Sequence, residues 1–247
     1  MRLTLITITL NAQSKLSRCI SSVLTQTRLP DEYIFVDGGS QDGTLDIIEK
    51  AMPDFASRGI DAKLLKQVHK EGHAGIPEAW NQGIEQSTGD IIALLNSDDL
   101  YSPEAMETVD NAFSQDASLE LLSSPIKLFN AEGKHLGCLY PHCLFLSEVK
   151  MPLPHPGTFV SASLYRRIGL YNENYSISAD YDFVWRCRKA KVKMMYIDSP
   201  LVSMEIGGRA NSSRELARKE TLEIALRHSS LPMLAKIAYL LRKMTGR

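Results

Sequence analysis

The sequence predicts an α/β fold, a mostly parallel central sheet with helices on both faces. Three observations predict it. Apolar or β-branched runs at Leu3–Leu10, Glu32–Val36, Ala62–Val68 and Ile91–Leu95 alternate with segments whose apolar residues recur at helical spacing. The connections are short, as in consecutive βαβ units. Three of the runs end in polar or acidic residues (Asn11, Asp37 and the Asp98-Asp99 pair), at the edge where open α/β sheets bind ligands.

Leu3–Leu10 reads as a buried central strand ended by Asn11. Arg2 before an apolar run imitates a signal peptide, but Thr4, Thr7, Thr9 and Asn11 break the run and no small-residue cleavage site follows. Leu16, Cys19, Ile20, Val23 and Leu24 mark the first helix. The second strand runs into Asp37-Gly38-Gly39-Ser40-Gln41-Asp42-Gly43-Thr44, which opens the second helix. This loop has two readings: a phosphate cradle at a helix N-terminus, or a turn with Asp42 as the cap. It is neither a dinucleotide fingerprint nor a Walker loop. The third strand leads to a helix over Gly75–Glu85, where Pro77 is tolerated in the first turn. Ile91–Leu95 runs into Asn96-Ser97-Asp98-Asp99, followed by a helix over Glu104–Phe113 and a strand at Leu119–Ser123.

After about residue 125 the rhythm changes. Lys127–Asn130 and His135–Tyr140 flank a turn and predict a hairpin. Met151–Gly157 carries three prolines, too many for a helix or central strand, and presents His155 in a loop. A strand at Thr158–Ser161 and a helix at Leu164–Ile168 follow. Ile177–Arg186 starts another helix with Asp180 at or near its first turn, and Met194–Ile197 is a strand. Ile206–Asn211 is a loop containing Arg209. Two helices close the chain, over Arg214–Arg227 and Leu231–Met244. From Arg227 onward there are Arg227, Lys236, Arg242, Lys243 and Arg247 and no Asp or Glu, with an apolar stripe of Leu231, Leu234, Ile237, Ala238 and Leu241. Such a helix lies on an anionic membrane surface or docks on the domain.

The 247 residues are 44% hydrophobic, enough for a sizeable core, and the net charge of −1 gives no field directed at nucleic acid. Cys19, Cys138, Cys143 and Cys187 form no metal or disulfide pattern and read as free thiols. No stretch reaches the roughly 18 apolar residues of a membrane span. Two adjacent carboxylates at a strand end are costly unless a cation is near, and hard oxygen ligands suit Mg2+ or Mn2+ carrying a phosphate ester. The alternative is that Asp98 or Asp99 caps the next helix.

Six motifs in order resemble the family 2 glycosyltransferases with the GT-A fold, particularly the bacterial polysaccharide-assembly branch of colanic acid type. They are Ile6–Asn11, Val36–Thr44, Gly75–Gly83, Thr88-Gly89-Asp90, Leu95–Asp99 and Ser178–Asp182, and the resemblance covers roughly Leu3 to Asn211. It implies a Rossmann-like GT-A domain over residues 1–212, with a nucleotide-sugar half to about 125 and an acceptor half from about 126. Residues 213–247 would form an amphipathic helical tail. It implies a nucleoside-diphosphate sugar donor lying across the carboxyl edge and a glycan or lipid-linked acceptor. Thr9, Asn11, Asp37, Asn81, Asp98, His155 and Arg209 would contact substrate, with Asp37 at the base or ribose and Arg209 in a closing loop. Asp98 and Asp99 would hold Mn2+ or Mg2+, Asp99 being the favoured direct ligand. Asp180 would be the general base of an inverting single displacement, and a cationic His155 would help the leaving group. Trp80 and Trp185 read as core, and Asp182 as an acid complementing the helix dipole. The protein would be cytoplasmic, touching the membrane only peripherally.

The sequence departs from the family pattern in three places. Gly38 replaces a second acid, Ala179 stands where many relatives carry Glu, and His73, Pro77 and Glu78 differ at the start of the third helix. Two rivals remain at this point. A nucleotidyltransferase would carry a basic Gly-rich loop directly after the first strand, where Thr9-Leu10-Asn11-Ala12-Gln13 stands instead. An inactive scaffold would have no need of Asp98, Asp99 and Asp180.

Overall fold

The computed structural model describes residues 1–68, 75–206, 214–229 and 231–245. The elements in chain order are β1 (Leu3–Thr9), α1 (Gln13–Leu24), β2 (Glu32–Asp37), α2 (Thr44–Ser57), β3 (Asp61–Lys66), α3 (Gly75–Glu85) and β4 (Ile91–Leu94). Then come β5 (Leu100–Tyr101), α4 (Ala105–Gln115), β6 (Leu121–Ser123), β7 (Ile126–Phe129), β8 (His135–Leu139), β9 (Thr158–Ser161) and α5 (Ala162–Ile168). The chain continues with α6 (Ala179–Lys189), β10 (Met194–Tyr196), β11 (Val202–Glu205), α7 (Arg214–His228) and α8 (Pro232–Thr245), and 3₁₀ turns occupy Leu144–Glu148 and His155–Gly157.

Seven strands form the main sheet in the order β10-β6-β9-β4-β1-β2-β3, all parallel except β9. Alternation of side chains along the strands separates two cores. Leu3, Leu5, Tyr33, Phe35, Ile91 and Ala93 face the core under α1, α2 and α4. Ile6, Ile34, Val36, Ile92 and Leu94 face the other, packed with residues of α3, α5, α6 and α7. Both faces of the central strands are therefore apolar, as their continuous runs require.

Two short strands were not legible in the sequence. β5 and β11 join the β7–β8 hairpin in a second sheet, β5-β11-β7-β8. The expected antiparallel addition is therefore mixed, because β11 runs parallel to β7. β9 lies antiparallel between β4 and β6, so the loop preceding it returns to the carboxyl edge of both.

The tail does not behave as one unit. Ile224 and Ala225 of α7 are buried in the second core. Leu231, just before α8, and Met233, Ile237, Leu240 and Leu241 within it are between 45% and 67% exposed, while Ala235 is buried. No helix among the described residues is long and apolar enough to cross a membrane.

Candidate active site

The first strand ends bring Thr9 and Asp37 side by side in register. Asp37 is buried, and its carboxylate accepts Thr9 Oγ1 at 2.7 Å, Ser40 Oγ at 2.6 Å, and the Gly39 and Ser40 amides at 2.9 and 2.8 Å. Four donors fill its acceptor capacity. In the structure Asp37 and Thr9 shape the Gly38–Ser40 turn. The same accounting removes the phosphate cradle. The Gln41, Gly43 and Thr44 amides donate to Asn11, Gln13 and Asp42 side chains, so Asp42 serves the α2 start and these N–H groups are already occupied. Asn11 is exposed, has a φ of 51°, and uses its carbonyl oxygen on Gln41. Its side-chain NH2 group makes no hydrogen bond among the described residues.

β4 delivers the acidic pair. Asp98 lines a cavity of about 210 Å³ with Lys15, Arg18 and residues of the second sheet, and its carboxylate has no hydrogen bond or ion pair among the described residues. Asp99 is 1% exposed and accepts Asn96 Nδ2 at 3.0 Å. Burial, and next the charge of Asp98, push the Asp99 carboxyl up to about 8. Asp98 lines the cavity, while Asp99 sits buried behind it and is held back from ionising. No group of three or more His, Cys, Asp and Glu side chains among the described residues could hold a metal. A hard cation that takes one or two protein carboxylates and completes its shell from phosphate and water fits this donor set.

A second cluster is built by α3 and the loop before β9. Trp80 stacks on His155 with ring centroids 4.3 Å apart, and His155 Nε2 lies 3.2 Å from Tyr171 Oη. Burial pushes His155 down to about 4. The expected cationic histidine is thus a neutral ring at pH 7. Gly157 is required here, because a Cβ would stand 2.5 Å from the Ser124 carbonyl oxygen. Asn81 accepts the Tyr171 amide at 2.9 Å and donates to the Tyr171 carbonyl at 2.8 Å and to Glu173 at 3.0 Å. These bonds make Asn81 a tether between α3 and the Tyr171–Glu173 segment. Trp80 and Trp185 are core residues, as expected.

Asp180 stands in the first turn of α6, partly buried, with Oδ1 accepting the Tyr181 amide at 2.8 Å. Burial, reinforced by the charge of Glu220, pushes its carboxyl up to about 6, within reach of neutral pH. Its charge also acts on Tyr171, which links it to His155 and α3. Asp182 does more than complement the dipole: it pairs with Arg186 at 2.9 Å and His228 at 3.0 Å, joining α6 to α7. Arg209 lies outside the described residues. Sequence reasoning missed Tyr171 and Glu220, whose spacing to the motifs carries no signal.

Residues 4–142 match the family described as Glycosyl transferase family 2. A PGL/p-HBAD biosynthesis glycosyltransferase of Mycobacterium bovis is 29% identical over 180 residues, 72% of this chain and 66% of that protein. A Mycobacterium tuberculosis glycosyltransferase is 31% identical over 186 residues, 73% of this chain and 66% of its own length. The chain thus spans just under two thirds of these relatives. Staphylococcus aureus TarS in complex with UDP-GlcNAc superposes with a TM-score of 0.67 at 18% identity, covering 97% of this chain and 70% of that one. The mannosyltransferase PcManGT of Pyrobaculum calidifontis, in complex with GDP-Man and Mn2+, gives 0.68 at 14%, covering 100% and 76%. These likenesses establish the GT-A fold, and with the family match over more than half its length the chain belongs to glycosyl transferase family 2.

Proposed function

We propose that the protein is an inverting glycosyltransferase that moves a sugar from a nucleoside diphosphate to an acceptor hydroxyl. The observation that carries this is Asp180, a partly buried carboxyl in the first turn of α6 whose burial holds it near neutral pH, in a chain of glycosyl transferase family 2. Asp180 accepts the proton of the acceptor hydroxyl. The hydroxyl oxygen then bonds to the anomeric carbon from the face opposite the diphosphate, and the bond to the diphosphate oxygen breaks. Mn2+ or Mg2+, held by Asp98 and supported by Asp99, would neutralise the departing diphosphate. Asn11 offers a donor at the nucleotide end, and neutral His155 keeps the second cluster in place through Trp80 and Tyr171. The family assignment sets aside the nucleotidyltransferase rival, and the unpaired Asp98 argues against an inactive scaffold. Proton NMR of the first sugar product from an α-linked sugar nucleotide tests the stereochemistry: the β anomer is expected, and an α product contradicts the single displacement.

The acceptor in this reading is a glycan or lipid-linked glycan of surface polysaccharide assembly, met at the cytoplasmic face of the membrane. What supports it is α8, whose exposed apolar stripe shares a segment with basic residues and no acid. Removing residues 230–247 leaves α7 in the core and should weaken co-sedimentation with phosphatidylglycerol vesicles by at least about tenfold. Unchanged co-sedimentation would show that α8 has no membrane role.

A further inference from the structure

The helix that carries Asp180 is not capped by its own sequence. Ser178 occupies the N-cap position without a side-chain cap bond, and its hydroxyl lies 3.3 Å from the Ala217 carbonyl of α7 instead. The amides that lead into α6 are met from elsewhere. Glu220 accepts Ser176 N–H at 2.8 Å through Oε1, and Ile177 and Ser178 N–H at 2.9 and 2.8 Å through Oε2. We propose that Glu220 is the positioning residue for the base: its buried carboxylate, reaching back from α7, seats the entry to α6 and fixes where the Asp180 carboxyl stands. The inference rests on reading Asp180 as the base.

Three charge-assisted bonds on one carboxylate hold a backbone segment firmly, and negative charge at a helix start also complements the helix dipole. Glu220 is itself held in place. Ile224 and Ala225 pack α7 into the core, Tyr175 Oη donates to Glu223 at 3.1 Å, and His228 meets Asp182 at 3.0 Å. Among the described residues, the titratable groups whose charges couple to Asp180 are Glu220 from α7 and Tyr171 from the segment before α6. On α6 itself, Asp182 is taken up by Arg186 and His228. Glu220 is therefore the nearby carboxylate whose charge bears on Asp180. A protein cut at residue 212, where the sequence suggests a domain end, would lack it.

The test uses the full chain, Glu220→Gln and Glu220→Asp, with carbon-detected NMR titration of Asp180 and amide hydrogen exchange across Ser176–Tyr181. The Asp180 signal is assigned by its absence in Asp180→Asn. In Glu220→Gln, Asp180 should titrate at lower pH, because a like charge has gone, and the Ser176, Ile177 and Ser178 amides should exchange at least about tenfold faster. Glu220→Asp keeps the charge but shortens the reach. It should leave the titration near wild type while still loosening the three amides, and it carries the test if Glu220→Gln does not fold. An unmoved Asp180 titration in Glu220→Gln, or three amides exchanging at the wild-type rate in either variant, would overturn the proposal. Neither readout uses substrate, so this failure is distinct from Asp180→Asn retaining turnover.

Discussion

Asp180→Asn is expected to lower turnover by about 10²–10⁴-fold, the usual cost of losing a general base, with donor affinity within a few-fold of wild type. Asn keeps an oxygen to accept the Tyr181 amide, so the first turn of α6 is preserved. The pH dependence follows from the raised carboxyl. The folded protein holds this proton up to about pH 6, whereas the unfolded chain releases it at the ordinary value of 3.8. The stability contributed by protonated Asp180 is present below the unfolded value and lost as pH rises through about 6. At pH 7 the variant is therefore expected to melt no lower than wild type while losing activity. Wild-type turnover should fall about tenfold per unit on the acid side of pH 6, because only the ionised base accepts a proton. Turnover within a few-fold of wild type in the variant would remove Asp180 from the chemistry.

Asp98→Ala is expected to weaken Mn2+-dependent binding of a nucleoside diphosphate by at least about 100-fold, the upper end of what outer-shell changes cost at a metal. Asp99→Asn should cost less, about 10–100-fold, because Asp99 is buried behind Asp98, bonded to Asn96, and does not line the cavity. The comparison separates the two carboxylates, which adjacency in sequence alone does not. Isothermal titration with and without Mn2+ measures both. A larger loss in Asp99→Asn than in Asp98→Ala would restore Asp99 as the direct ligand.

The central strands were legible because each is a continuous apolar run buried on both faces, a signal that survives without knowledge of neighbours. β5 and β11 were not. Two and four residues carry too little periodicity, and they become strands only by pairing with each other and with β7. The antiparallel sense of β9 is set by where the long segment from β8 returns, which local pattern does not encode. The candidate site was legible as a set of acids at strand and helix ends, but their roles depended on what each side chain meets. Asp37 and Asn81 carry polar groups in the expected places, yet their hydrogen bonds close within the protein. His155 is in the expected loop, yet burial against Trp80 removes its charge. Glu220 was invisible because its partners lie more than forty residues earlier and are peptide amides, which have no side-chain signature.

The central claim, that the carboxyl edge binds a sugar nucleotide through a metal on Asp98, is tested most directly by melting the wild-type protein with UDP-, GDP- and dTDP-sugars, each with and without Mn2+. At about 100 times its dissociation constant, a ligand that binds only the folded state adds about 2.7 kcal/mol. For a chain of this size that is roughly 5–10 °C in Tm. At least one sugar nucleotide should raise Tm by that amount only when Mn2+ is present, and Asp98→Ala should lose the rise. A rise of equal size without metal, or one retained in Asp98→Ala, would contradict the claim, as would no response to any sugar nucleotide at millimolar concentration.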